Sequence, residues 1–408
     1  MSYMRREPGR RILKEGMRGA DVIWLQEKLI EWGYALNGVD GLFGPLTFGA
    51  VLELQRDFKL RADGIAGPMV FSLLQDPPPI IRHTIEGRET LLSIARQWGV
   101  GTVGLREANR WLTPAGLYVG RRLIIPCRYV VVFTDPSDPR VANSIVDNNT
   151  NITGLLLQVE LGRSIDRDLL SFCLEHELSV FLDVTIDETV GVMARRRKRK
   201  QIIDEVCRLC HRTTAKAVHI DLSGNTQLLS LGFLHRLKDA LHQKKRKLVL
   251  TYPYSPRESF PPYLTIADRV ILSSVYKEKP SICLPSFAHL RQGIIRLGKL
   301  IPSWRIWLKL PLCAWEYDDE TASGRTISHG EGMEFLRRSR TKPVWSEELK
   351  VIELSRGLQR VWLPNETTMM HWLWLVNRYN LGGIVLTGVG LEDKRLWRCL
   401  KQHFLIHK

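Results

Sequence analysis

The chain has no long apolar run and little cysteine. No stretch of its 408 residues approaches the run of about 18 uncharged apolar residues that a membrane-spanning helix needs. The first twenty residues are basic and lack the apolar segment of a secretion signal. The seven cysteines are an odd number, lie far apart and outline no disulfide framework. We therefore expect no membrane span, no standard secretion signal and reduced thiols.

Acidic residues are also in deficit. The 43 Asp and Glu face 59 Lys and Arg, which gives a net charge of +16 and an isoelectric point near 9.7. This balance predicts attraction to nucleic acid, anionic wall polymer or acidic lipid, without choosing among them. Two basic runs, 195–200 and 244–247, fall where predicted helices meet predicted strands, and solvated loops are their usual explanation. No nucleic-acid-binding fold is evident, so we expect no nucleic-acid partner.

The pattern of apolar residues and turns divides the chain into three domains. Residues 1–76 alternate helical patterns with two matching Asp-Gly turns, at 40–45 and 63–68, which predicts a small all-α bundle. A proline-rich linker follows. Residues 80–127 predict a strand, two helices and a second strand, and residues 128–408 form the third domain.

The third domain predicts a (β/α)8 TIM barrel. Eight apolar, β-branched runs alternate with amphipathic helical patterns, as in buried parallel sheets. The runs lie at 129–134, 154–160, 179–184, 217–222, 247–252, 269–274, 305–311 and 383–388. The connection between the last two is too long for one helix, so we expect an α+β insertion at about 315–366, between strands seven and eight.

The first domain resembles the small helical peptidoglycan-binding domain of bacterial wall enzymes. The match covers the whole domain and includes Leu13, Gly16, Asp21, Leu25, Gln26, Asp40, Gly41, Phe43, Gly44, Gln55, Asp63, Gly64 and Gly67. Most of these are core or turn positions, so the resemblance implies a ligand, glycan strand or stem peptide, through the fold alone.

The second domain resembles a LysM domain. The match is carried by Thr90-Leu91, Ser93-Ile94-Ala95, Trp98-Gly99-Val100, Leu105, Asn109, Leu117, Gly120, Leu123 and Ile125-Pro126. LysM domains bind N-acetylglucosamine glycans, and the resemblance places Glu89, Thr90, Leu91 and Leu117 near sugar. The usual Gly-Asp-Thr is Arg88-Glu89-Thr90 here, and plain core packing is the competing explanation for Leu91.

The barrel is similar to the family 18 glycoside hydrolases, particularly the spore-cortex type that carries LysM domains at its N-terminus. The resemblance rests on Val361-Trp362, Leu381-Gly382-Gly383-Ile384, Gly390-Leu391-Glu392-Asp393, Trp397, Lys309-Leu310-Pro311 and Ala267-Asp268, with Tyr276 after strand six. It implies a chitinase-like site at the C-terminal ends of the strands.

The catalytic motif of that family is mostly absent. Family members carry Asp-x-x-Asp-x-Asp-x-Glu on strand four, where the Glu protonates the glycosidic oxygen and the substrate's acetamide attacks the anomeric carbon. Here only Asp221 matches, Lys216 and His219 replace the first two Asp residues, and Ser223 replaces the Glu. A serine hydroxyl is no general acid near neutral pH, and losing such an acid costs about 10²–10⁴-fold in rate.

Two further positions of the family site also differ. Thr387 stands where the family has a tryptophan floor, and Lys277 stands where an Asp follows Tyr276. We therefore expect a barrel that no longer hydrolyses by the family mechanism. The alternative is a rewired acid/base site that uses Glu160, Asp183 and Asp221, each near the C-terminal end of a strand, with His219 beside them.

The remaining signals predict no cofactor and no metal. The sequence Cys-Arg-Leu-Cys-His at 207–211 matches the haem c attachment motif, but it falls inside a helical pattern and is best explained by chance. Trp315 and Tyr317, just after strand seven, are the aromatic residues most suited to stacking on a sugar, although packing explains most tryptophans.

These observations predict a spore- or wall-associated bacterial protein, made in the mother-cell cytoplasm, that binds peptidoglycan or another N-acetylglucosamine glycan. Whether it is an enzyme stays open. The alternative is an active cortex hydrolase of the N-acetylglucosaminidase type. The sequence does not set the oligomeric state.

Overall fold

The computed structural model describes residues 11–58, 60–76, 80–109, 111–112, 117–133, 138–162, 165–185, 196–221, 230–254, 260–274, 284–340 and 342–408. The chain forms two compact units, Met1–Pro78 and Pro79–Lys408. No helix within these ranges is long and apolar enough to cross a bilayer.

The first unit is helical. Its described residues form α1 (Ala20–Glu31), α2 (Pro45–Asp57) and α3 (Pro68–Gln75). In α2 and α3 a glycine precedes a proline at the first helical position, where the missing N–H costs nothing because that donor has no partner inside the helix. The core residues with no exposure include Leu13, Val22, Leu25, Leu29, Phe43, Val51 and Leu54. The predicted all-α bundle is confirmed.

The two matching turns of this unit are built in the same way. The Gln26 amide donates to Asp40 Oδ1 over 2.7 Å, and its carbonyl oxygen accepts the N–H of the glycine after Asp40. The Gln55 amide donates to Asp63 Oδ1 over 2.8 Å, and its oxygen accepts the next glycine N–H. A glutamine buried on one helix therefore holds each Asp-Gly turn, and the Gln26 amide keeps the pKa of the Asp40 carboxyl below its usual range.

The second unit begins with a βααβ arrangement. It comprises β1 (Ile80–Thr84), α4 (Leu91–Trp98), α5 (Thr102–Ala108) and β2 (Arg122–Phe133), with β1 antiparallel to β2. The second strand predicted within 80–127 and the barrel run at 129–134 belong to a single strand. Pro126 does not end it, because the fixed φ of proline is compatible with extended backbone and only one N–H is lost. The predicted boundary after residue 127 falls inside β2.

Alternating helices and parallel strands follow. They are α6 (Pro139–Asp147), β3 (Gly154–Glu160), α7 (Arg167–Glu175), β4 (Ser179–Thr185), α8 (Arg196–Arg212), β5 (Ala217–Asp221), α9 (Leu231–Gln243), β6 (Lys247–Tyr254), β7 (Arg269–Ser274), α10 (Phe287–Leu297) and β8 (Ile306–Pro311). Each strand from β3 to β8 pairs in parallel with the next.

The segment after β8 folds as a second sheet. It contains β9 (Ala314–Asp318), β10 (Ser323–Ile327), α11 (His329–Ser339), β11 (Val344–Ser346), β12 (Val351–Arg356) and β13 (Gln359–Leu363). The five strands are antiparallel in the order β10-β9-β13-β12-β11, and α11 packs on one face. The chain then forms α12 (Glu366–Arg378), β14 (Gly383–Thr387), α13 (Leu396–His403) and β15 (Leu405–Ile406).

The large sheet closes into an eight-stranded barrel. Strand β2 pairs in parallel with both β3 and β14, and β14 pairs with β8. Each strand contributes one buried side chain to a single cluster, namely Val131, Leu156, Phe181, Ala217, Val249, Ile271, Trp307 and Val385. This apolar layer fills the lumen, as in other parallel barrels of eight strands. The predicted barrel is confirmed.

The βααβ arrangement packs directly on the barrel helices. A Cβ at Gly104 would lie 2.0 Å from the backbone oxygen of His403, and one at Gly101 would also meet the backbone of α13. Close to this contact, the carboxylate of Glu107 lies 3.0 Å from His403 Nδ1 and accepts the amide of Asn377 over 3.0 Å. The two glycines let α5 approach α13 at backbone distance.

We expect Gly104→Ala to destabilise the second unit by about 1–3 kcal/mol or more, because neither backbone can yield easily to the added methyl group. Urea denaturation measures the loss. The control is Gly232→Ala in α9, where the nearest side-chain atom, on Arg236, would lie 3.9 Å from the new Cβ and helix propensity favours alanine. Equal stability of the two variants would contradict the close approach of α5 and α13.

Candidate functional site

The family motif aligns with strand β5, and the barrel sets the direction in which its residues point. Successive side chains of a strand alternate between the two faces, so Ala217, His219 and Asp221 share the lumen face. Ala217 lies in the apolar layer, His219 is buried above it, and Asp221 is exposed at the C-terminal end. Lys216 precedes the strand and is exposed at the opposite end, so it does not reach the site.

His219 is the centre of a buried polar network across three strands. Its Nδ1 lies 2.6 Å from Asp183 Oδ1 on β4, and its Nε2 lies 2.6 Å from Thr251 Oγ1 on β6. The three residues are 4%, 7% and 2% exposed, in that order. Because the Asp183 carboxylate is an acceptor, it favours the tautomer that carries a proton on Nδ1, and Nε2 then accepts from the hydroxyl.

The three residues are joined in the same order as a nucleophilic triad, but the hydroxyl is not accessible to a substrate. An acid, an imidazole and a hydroxyl are joined by short hydrogen bonds, which in hydrolases activates the hydroxyl oxygen. Thr251 is almost fully buried, so its hydroxyl is not presented to a polymer. The arrangement is instead typical of a satisfied polar layer, in which each buried group has a partner.

Above this layer, the rim carries carboxylates. Glu160 ends β3 and Asp221 ends β5, and both are exposed. Strand β4 lies between them, and strands are spaced about 4.8 Å apart, so their backbones are roughly 10 Å apart. Thr387 ends β14 and is half-buried. Ser223 and Tyr276, predicted as site residues, lie outside the described residues.

Two lumen residues escaped the sequence analysis as site residues. Thr251 completes the His219 network, and the alternation of β6 after Val249 is the signal that could have placed it in the lumen. Lys309 on β8 is half-buried, with its ammonium 5.3 Å from the centre of the Phe133 ring. Neither residue belongs to the catalytic motif; Lys309 contributed to the family resemblance but was not predicted as a site residue.

The predicted LysM sugar residues have structural contacts. The Glu89 carboxylate accepts the backbone N–H of Glu86 and lies 2.9 Å from His83 Nε2, and these two contacts hold its pKa below the usual range. Thr90 caps α4 by accepting the N–H of Ser93. Leu91 and Leu117 are half-buried against the small core of the βααβ arrangement, among Ile94, Leu105 and Leu123.

The predicted aromatic residues lie on β9. Trp315 and Tyr317 share one face of the five-stranded sheet, where both are half-buried against a cluster that includes Val351 and Trp362. A Cβ at Gly324 would lie 2.4 Å from the Trp315 ring, so this glycine lets the ring lie across the neighbouring strand. Packing accounts for much of both side chains, and a part of each stays exposed.

The first unit has a cavity of about 380 Å³ beside its first Asp-Gly turn. It is lined by Gln26, Leu36, Asn37, Gly38, Val39, Asp40, Leu42, Gly44, Pro45, Leu46 and Thr47. Val39 and Leu46 are 43% and 52% exposed, which is high for apolar side chains beside a concave surface. The cavity therefore combines apolar contacts with backbone groups of the turn.

The described residues contain no group of three or more His, Cys, Asp or Glu suited to a metal ion. The six cysteines among them are free thiols. Burial raises the pKa of Cys210 to about 12 and that of Cys173 to about 11. Cys207 and Cys210 both lie in α8, as their helical pattern predicts.

Comparisons with known proteins identify the first unit. Residues 18–74 match the family described as "Putative peptidoglycan binding domain". A "Probable N-acetylmuramoyl-L-alanine amidase" of Bacillus licheniformis is 46% identical over 109 residues, which are 26% of this chain and 24% of that protein. A spore cortex-lytic enzyme of Halalkalibacterium halodurans is 34% identical over 64 residues, 16% of this chain and 19% of that protein. The chain thus spans about a quarter or less of these relatives.

Solved structures share the fold of the second unit. The Bacillus megaterium QM B1551 spore cortex-lytic enzyme SleL has a TM-score of 0.60 at 15% identity and covers 88% of this chain and 96% of its own. The Bacillus cereus SleL has a TM-score of 0.61 at 13% identity, and the match covers 98% of this chain and 99% of that protein. A Chromobacterium violaceum chitinase has a TM-score of 0.58 at 16% identity, and the match covers 68% of this chain and 99% of that protein. The resemblance to spore-cortex-type enzymes with a family 18-like barrel is confirmed; the LysM assignment stays a prediction.

We expect His219→Ala to lower the free energy of unfolding by about 2–4 kcal/mol, because it leaves the Asp183 carboxylate buried without its partner and creates a cavity. Denaturant unfolding at neutral pH measures the loss. Asp221→Asn, on the same face of the same strand but exposed, is the control and should change stability by about 0.5 kcal/mol or less. Similar values for both variants would contradict a buried network that supports the barrel.

Proposed function

We propose that this chain is a peptidoglycan-binding protein whose barrel has lost the hydrolytic mechanism of family 18. The family match of residues 18–74 supports a wall ligand for the first unit. The spore cortex-lytic enzymes among the relatives support a bacterial spore or cell wall as its location. The proposed ligand is peptidoglycan or another N-acetylglucosamine glycan.

The Asp183–His219–Thr251 network is the observation that carries the loss of hydrolysis. In the family mechanism, the motif Glu protonates the glycosidic oxygen and the aspartate nearest it steers the acetamide that attacks. At position 219, where the motif has another aspartate, this chain has a buried imidazole with hydrogen bonds at both nitrogens, so no carboxylate is present there. At 223 the sequence has serine in place of the proton donor. The protonation step therefore lacks its usual group, whereas Asp221, the aspartate nearest that position, is retained.

Three surfaces are proposed to contact the wall. The first is the cavity of the first unit beside Val39 and Leu46. The second is the βααβ arrangement, proposed as a LysM domain over 80–127, with Glu89, Thr90, Leu91 and Leu117 near sugar. The third is the exposed part of Trp315 and Tyr317 on the insertion. In this proposal the chain has three functional domains, and the barrel (128–408) serves as a sugar reader or scaffold.

A second candidate function is hydrolysis by a rewired acid/base pair. The exposed rim carboxylates of Glu160 and Asp221 have backbones roughly 10 Å apart, one strand removed from each other. Inverting glycosidases hold their two carboxyl groups about 6.5–9.5 Å apart, which side chains on such backbones can reach. Asp183, in contrast, is committed to His219, which argues against its use as the acid or base.

The deciding measurement is mass spectrometry of soluble products released from purified peptidoglycan and spore cortex. We expect no muropeptides from the native chain, together with co-sedimentation of the protein with the insoluble wall. The Ser223→Glu variant is assayed in parallel by the same method, because that substitution returns a carboxyl group to the position of the family acid. Products from this variant alone would support the loss of the acid as the decisive change.

Defined muropeptides from the native chain would refute the loss of hydrolysis. In that case the variants Glu160→Gln and Asp221→Asn test whether these two carboxylates are the acid and base, since each substitution should then abolish product release. Asp168→Asn serves as the matched control, because Asp168 is an acidic residue on α7, away from the barrel lumen.

For the first unit, we expect Leu46→Asn to weaken co-sedimentation with peptidoglycan about fivefold, because an exposed leucine that becomes buried on binding contributes about 1 kcal/mol. Ile30→Asn is the control, since Ile30 is 40% exposed in the same unit and does not line the cavity. An equal effect of both substitutions would exclude the cavity as the wall-binding surface.

A further inference from the structure

Basic side chains from two barrel helices surround one cavity. Arg197, Arg199 and Lys200 of α8 and Arg236 of α9 line a space of about 490 Å³, and Ile203 forms its apolar wall. Helix α8 leads from β4 to β5, and α9 leads from β5 to β6. Both helices therefore begin at the end of the barrel where the strands finish, and the cavity lies on the outer side of the barrel near the rim that carries Asp221.

Within the part of the chain that the structure describes, no ion pair compensates the charges in this cavity. None of the ion pairs formed within the described ranges includes Arg197, Arg199, Lys200 or Arg236. The Nε of Arg199 is buried and has no hydrogen-bond partner among those residues. A buried guanidinium N–H is costly to leave without an acceptor, so the cavity is suited to a ligand that supplies one.

The position on the helix adds to the positive potential. The first turn of the 17-residue helix α8 contains no acidic residue and begins with consecutive basic residues. Basic residues are unfavourable at a helix N-terminus, where unpaired backbone N–H groups already carry partial positive charge, and they are favourable at the C-terminus. An anion seated in the cavity would offset the side-chain charges and the helix dipole together.

We propose that this cavity is an oxyanion-binding site for an anionic polymer of the cell wall. Guanidinium groups bind phosphate and carboxylate oxygens through paired hydrogen bonds, and three of the four cations here are arginines. A concave space of this size holds one or a few oxyanion groups, whereas duplex nucleic acid needs an extended basic surface. The shared chemistry is the oxyanion, which a wall supplies as phosphodiesters or as stem-peptide carboxylates. The site does not require the barrel to be inactive.

The test uses the full chain and the double variant Arg199→Gln/Arg236→Gln in co-sedimentation with intact wall. The matched control is Lys244→Gln/Lys245→Gln, which removes the same charge at the other end of α9. We expect the first variant to bind about tenfold more weakly at low salt, with a shallower salt dependence, and the control to change less than about twofold. Equal losses in both variants would overturn the site, because general charge would then explain the binding.

Further binding measurements identify the chemical group that the cavity binds. Inorganic phosphate should compete with wall binding more strongly than chloride at the same ionic strength, and only while Arg199 and Arg236 are present. Wall stripped of phosphodiester polymer, and wall with amidated carboxylates, separate the two sources, since one of them should lose the arginine-dependent binding. If neither treatment reduces it, or if duplex DNA binds the native chain more tightly than wall, the proposal is wrong.

A conservative variant distinguishes a loss of ligand contacts from a folding defect. Arg199→Lys/Arg236→Lys keeps the charge but loses the paired geometry, so intermediate binding is expected. Thermal unfolding of each variant checks that the chain is intact. The experiment is independent of the proposed wall binding by the first unit, because Leu46→Asn should reduce the salt-insensitive part of binding and the arginine variants should reduce the salt-sensitive part.

Discussion

Strand β2 is the element on which the second unit depends. Its N-terminal half pairs with β1, its middle pairs with β15, and its C-terminal half pairs with β3 and β14. The last two pairings close the barrel, so the same twelve residues hold the βααβ arrangement and complete the parallel sheet. A strand buried on this scale cannot slip in register without disrupting both structures at once, because a shift of one residue exchanges the side chains of its two faces.

The lumen is divided into chemically distinct layers. An apolar ring fills its lower part, the His219 network lies above it, and exposed carboxylates stand at the rim. The network stabilises the barrel by satisfying buried polar groups. His219, at the position that aligns with a motif aspartate of family 18, is thus held by structural hydrogen bonds on both sides of its ring.

The sequence predicted the barrel well because buried parallel strands are continuous apolar runs, as in β3 and β6. It predicted the first unit for a different reason, since its paired Asp-Gly turns repeat. The partners of His219 could not be predicted, because Asp183 and Thr251 come from strands more than 30 residues away and only the register brings them together. Likewise, Gly101 and Gly104 were visible in the sequence, but the backbone of α13 that they meet was not.

The close contact of α5 with α13 makes the joint between the βααβ arrangement and the barrel stiff. Interfaces inside a chain usually allow relative motion, but here a shared strand, backbone contacts at two glycines and the Glu107–His403–Asn377 cluster act together. If both parts bind sugar, as proposed, a glycan chain held by one would reach the other at a fixed distance and angle. Binding would then depend on the spacing between recognised sugars as well as on their identity.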